Sequence, residues 1–136
     1  MSRKKARDTA FKCVYQIQFD LGIDIEDLIT NNIVEDSNNE EECEYIKEVV
    51  IGIKENMEVI DKVILSKIKG WTIDRIAKID LAILRLATYE IMYIKDLSNK
   101  VSANEAVELA KTYGDDNSAK FINGIIASVI TDNLKE

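Results

Sequence analysis

Ile79-Asp-Leu-Ala-Ile-Leu-Arg-Leu-Ala-Thr-Tyr-Glu-Ile-Met-Tyr-Ile94 decides the fold. Read at 3.6 residues per turn, the stretch is apolar nearly all round, the mark of a helix enclosed by other helices. It is placed at the heart of a bundle. Arg85 and Glu90 interrupt it, and charges on a buried helix must be paired, so they are read as an internal polar network.

Further helices follow on both sides. Ala6, Ala10, Cys13, Val14 and Ile17 form the stripe of a first helix that ends near Gly22. Asp24 caps a second, with Ile23 and Leu28 as a hydrophobic staple, running to about Val34. Asn39 with Glu42 starts a long third segment whose apolar spacing runs from Ile46 to Ile68. A break is expected between Gly52 and Met57, and a stop at Gly70. Trp71, Thr72 and Ile76 read as a staple-and-cap start for the central helix. Ser102 with Glu105 reads as a capping box for a helix closing at Tyr113-Gly114, and Asp115 to Ser118 cap the last one. Asn123 and Gly124 are read as structural: Gly for the close approach of another helix, Asn for a neighbouring backbone group. The fold class is all-α, a single domain over 1–136 with about seven helices.

Composition agrees. There is no Pro, only 5 Gly, and 46% of residues are apolar, which favours uninterrupted helices over turn-rich β structure. No apolar run reaches the roughly 20 residues of a membrane span, and the first residues lack an apolar signal core, so a soluble cytoplasmic protein is expected. Cys13 and Cys43 are expected to be reduced, and with no His there is no zinc set.

The net charge of −7 hides a partition. Arg3, Lys4, Lys5, Arg7 and Lys12 face only Asp8 in the first twelve residues, giving +4 there and −11 over the rest. No Lys or Arg occurs from Cys13 to Tyr45. A polyanion must approach one end and avoid the other. Cations in the first turn of a helix oppose its dipole, so folding gives no reason for them, whereas phosphate binding does. Tyr15 lies on the same helix, able to stack on an unpaired base. Lys120 and Phe121 open the last helix, where backbone N–H groups favour phosphate and the ring sits at the edge of the inward stripe. No catalytic constellation is present: there is no His base, no Gly-rich phosphate loop and no activated Cys. No cofactor or metal is expected.

Leu81-Ala-Ile-Leu-Arg85, Tyr89-Glu90, Asn104-Glu-Ala-Val-Glu-Leu-Ala-Lys111 and Lys120-Phe-Ile-Asn-Gly124, with the basic first helix, resemble the NusB family of RNA-binding antitermination factors. The resemblance covers nearly the whole chain. It implies two small helical lobes that bind single-stranded boxA RNA of ribosomal transcripts together with NusE, a ribosomal small-subunit protein. With other Nus factors on RNA polymerase, the pair suppresses premature termination. It further implies RNA contacts by the arginine-rich stretch Arg3 to Arg7, by Tyr15 and by Phe121, and a NusE contact by Asp80. This chain departs from the family pattern at Leu97-Ser98, where many members carry a β-branched residue and Pro, at Ala103 in place of Ile, and at Asn117 in place of Asp. Two other classes fit the residues: a protein-binding helical module, in one form a homodimer, and an RNA-targeting domain working with a separate ribosomal RNA methyltransferase.

Overall fold

The computed structural model describes residues 3–135. Among them are six α-helices and one short 3-10 turn: α1 (Arg3–Ile17), α2 (Ile25–Asp36), α3 (Glu40–Leu65), the turn Ile73–Arg75, α4 (Lys78–Tyr93), α5 (Asn99–Tyr113) and α6 (Ser118–Thr131). The helical class is as expected, with six helices among the described residues in place of about seven, because the long third segment forms the single kinked α3.

Helix α4 is the axis. Every residue from Asp80 to Ile91 is buried, because α1 and α3, packed on each other, and α5 and α6, likewise paired, all pack against it. Leu81, Ile83, Leu84, Leu86 and Ile91 are each no more than 2% exposed. Side chains of this size contribute about 1.5–3 kcal/mol apiece on full burial. Helix α2 closes the first group by packing on α1 and α3.

Local signals set most boundaries. Asp24 accepts from the Asp27 N–H at 3.1 Å and starts α2. Asn39 and Glu42 form a reciprocal capping box, each side chain accepting the other's N–H at 2.9 Å. Within α3 the expected break is a kink at Asn56 (φ −112°, ψ 16°), whose side-chain amide donates to the Gly52 carbonyl. Gly52 itself serves the packing of two helices, since a Cβ there would run into the ring of Tyr89 and its absence lets α4 lie close to α3.

Three expectations are corrected. Ser102 is not a cap, since α5 begins a turn earlier with Ser98 at its N-cap; Ser102 is buried and donates to Glu90 Oε1 at 2.8 Å. Trp71 and Thr72 do not start α4, because the Thr72 hydroxyl turns to Asp74 and only a 3-10 turn forms before α4 begins at Lys78. Asn123 and Gly124 are exposed, and a Cβ on Gly124 would meet nothing within 4 Å, so no helix among the described residues requires that glycine.

The internal network on α4 is present, in two separate parts. Glu90 accepts from Arg7 Nε at 2.8 Å, from the Tyr45 hydroxyl and from Ser102, so α1, α3 and α5 all meet α4 at one carboxylate. Burial, and then the neighbouring Glu90 charge, push the Tyr45 phenol well above its ordinary pKa, so it stays a donor. Arg85 forks onto Asp61 at 2.9 and 2.8 Å and donates to Gln18 Oε1 at 3.0 Å. No helix among the described residues is long and apolar enough to cross a membrane.

Candidate nucleic-acid interface

Helix α1 presents the basic residues unevenly. Lys4 and Lys5 are exposed, with Lys5 Nζ reaching the Ser37 carbonyl at 3.2 Å, and Arg3 is half-buried with its guanidinium 5.3 Å from the Tyr45 ring centre. Lys12 is held between Asp8 and Asp36. Arg7 departs from the expectation of an RNA-facing cation: it is 4% exposed, paired with Glu90 and 3.8 Å from Glu105. Its position was legible, for Arg7 lies three residues before Ala10 and seven before Val14, on the inward stripe.

Tyr15 sits three turns further on, about 18 Å along the helix axis from Arg3 at 1.5 Å per residue. Its ring is half-buried, between Phe11 at 6.1 Å and Phe19 at 5.0 Å, and Phe11 stacks in turn on Tyr113. Beside it opens a cleft of about 410 Å³ whose lining includes Lys78, Asp80, Tyr113, Asp115 and Ser118. The end of α1 is fastened to this cleft by Gln18, which donates to the Lys78 carbonyl at 2.8 Å while accepting from Arg85.

Asp80 lies in the same cleft, 8% exposed, with Oδ1 unpartnered. A partner reaches it only with a group small enough to enter. Desolvation pushes its carboxyl up and Asp115 adds to this, while the Ser118 hydroxyl opposes them. A carboxyl raised in the folded state destabilises the fold once it is ionised. The penalty is absent below the unfolded pKa, grows as pH rises through the folded one, and persists at neutrality. Asp80→Asn is therefore expected to raise the urea midpoint at pH 7, the gain vanishing toward pH 3. An equal midpoint for both proteins at pH 7 would contradict this.

Ser118 begins α6, and Phe121 follows one turn later. Asp115 supplies the acceptor for this start, taking the Asn117 N–H at 2.9 Å, whereas the exposed Asn117 makes no side-chain cap bond. Phe121 is half-buried and Lys120 exposed, so neither is sealed in the core. The ring of Phe121 meets Trp71 at 5.6 Å with the planes tilted by 40°. Sequence reasoning takes Trp71 only as a staple and misses this pair.

The relatives of the chain agree with one another. A model of the NusB family matches residues 4–131. The transcription antitermination protein NusB of Clostridium acetobutylicum is 46% identical over 133 residues, with 96% of each chain covered. That of Bacillus subtilis is 38% identical, with 97% of each covered. Among solved structures, T. maritima NusB superposes with a TM-score of 0.92 at 34% identity, over 98% of this chain and 93% of that one. A chain from the crystal structure of antitermination factors NusB and NusE in complex with dsRNA gives 0.87 at 29% identity, over 96% of each. With helix order, central α4 and similarity shared over nearly the full length, the chain belongs to the NusB family.

Proposed function

We propose that this chain is a non-enzymatic, cytoplasmic transcription antitermination factor that binds the boxA element of ribosomal RNA transcripts as a single strand, together with NusE. With other Nus factors on RNA polymerase it supports processive transcription. The observation that carries the reading is the cleft joining Tyr15 of α1 to Ser118 at the start of α6, one turn before Phe121. Tyr15 at its rim is placed against a base face, while its acids, Asp80 and Asp115, repel phosphate; Asp80 is the NusE contact, reached by a small hydrogen-bond donor of that protein. Arg3, Lys4, Lys5 and Lys120 supply the cations for phosphates, while Arg7 holds α1 in place from within. The acidic remainder excludes misplaced RNA and suits a basic protein partner.

The test is binding of a boxA-like RNA and a scrambled one, each with and without NusE. Preference for the boxA-like strand, strengthened by NusE, is expected. With about four phosphate contacts the log–log salt slope should lie near −3, at roughly 0.7 per contact for single strands, and Lys4→Gln with Lys5→Gln should flatten it by about 1.4. Equal weak binding to both RNAs under every condition would instead mark a protein-binding module.

A further inference from the structure

We infer that the connection between α3 and α4 is a second RNA-contacting segment, in which Trp71 stacks on a base and Lys69, Arg75 and Lys78 meet phosphates. The inference rests on the RNA-binding reading above and extends the site to residues outside it.

Trp71 is 42% exposed, an unusual disposition for the largest apolar side chain, and its ring meets that of Phe121. The backbone is shaped to hold it there. Gly70 adopts φ +82°, a conformation that side chains rarely permit, and the Trp71 N–H returns to the Ile68 carbonyl. Lys69, Arg75 and Lys78 are all exposed along the same segment, against one acid, Asp74, which is engaged by Thr72. In a chain of net charge −7 such a surplus runs against the prevailing sign. Flat rings interleaved with cations suit a single-stranded nucleic acid, whose bases offer π-faces and whose backbone offers phosphates.

The placement is as informative as the composition. Trp71 touches Phe121 at one end of the segment, and Ala77, Lys78, Ile79 and Asp80 line the Tyr15 cleft at the other. The connection thus borders the ground between the two aromatic positions. A strand engaging both Phe121 and Tyr15 passes along it.

Trp71 is the one tryptophan of the chain, so its emission reports on this segment alone. Titration of the full chain with unlabelled boxA-like single-stranded RNA should quench that emission. Trp71→Leu should weaken binding by about 5- to 150-fold, the range for loss of one stacked base, while Trp71→Phe retains most of the affinity. Three further phosphate contacts steepen the parent salt slope from about −3 to about −5, and replacing Lys69, Arg75 and Lys78 by Gln should flatten it by about 2. Unmoved emission, with unchanged affinity for Trp71→Leu in an anisotropy assay where the parent chain binds RNA, would overturn the inference and leave the function intact. Quenching by polyglutamate that RNA cannot displace would overturn it in favour of an acidic protein partner. Failure of the parent chain to bind RNA would remove the functional reading together with this one.

Discussion

Glu90→Ala is expected to lower folding stability by about 3–5 kcal/mol, the cost of leaving a buried charge without its partner. The charge left behind is Arg7, 4% exposed and already short of one bond, since its Nη2 has no acceptor among the described residues. Tyr45 and Ser102 lose their acceptor in the same step. Against a total of about 5–15 kcal/mol for a domain, the loss is about a fifth or more, enough to lower the melting temperature by about 10 °C or more. Urea denaturation followed by circular dichroism measures it. Arg7→Met combined with Glu90→Leu should recover the part of the loss owed to the unpaired Arg7, because an apolar replacement of a buried pair is often neutral. It should not recover the part owed to Tyr45 and Ser102, whose buried hydroxyls still lack an acceptor. A loss below about 1 kcal/mol for Glu90→Ala would mean that water or Glu105, 3.8 Å away, takes up the Arg7 charge.

The second large effect concerns RNA. Tyr15→Ala and Phe121→Ala should each weaken binding by about 5- to 150-fold, at 1–3 kcal/mol per stacked base. Tyr15 and Phe121 lie on different helices with different aromatic neighbours, so the two losses should approximately add in free energy in the double variant. Anisotropy with a labelled boxA-like strand, at one fixed salt concentration, is the measurement. Both side chains are half-buried, so the folding of each variant is checked by its melting curve. Wild-type affinity in a folded double variant would take both rings out of the site.

What can be read from the chain is what local pattern determines. The run from Ile79 to Ile94 has no wet side, and the central position of α4 follows from that alone. The Asn39–Glu42 box and the Asp24 cap are contained within four residues each, and both form. Ser102 and Glu105 show the same local spelling with a different outcome, because Glu90, which captures Ser102, is twelve residues away and invisible to a four-residue motif. Composition groups Arg7 with its basic neighbours, although periodicity places it on the inward stripe. Trp71 reads as a staple because apolar size alone does not distinguish a core residue from an exposed platform. Gly124 shows the limit of reading a chain by itself: it sits in a helix at a cost of about 1 kcal/mol relative to Ala, and nothing among the described residues accounts for it.

The anchoring of Arg7 bears on how a ligand would be received. Basic arms that are loose in solution must become ordered on contact, and that entropy is subtracted from the affinity. Here the neighbouring cations stand on a rod clamped from inside at Arg7, two residues beyond Lys5. The ordering of the backbone that carries them is completed when the chain folds, and an arriving strand meets a quay already built.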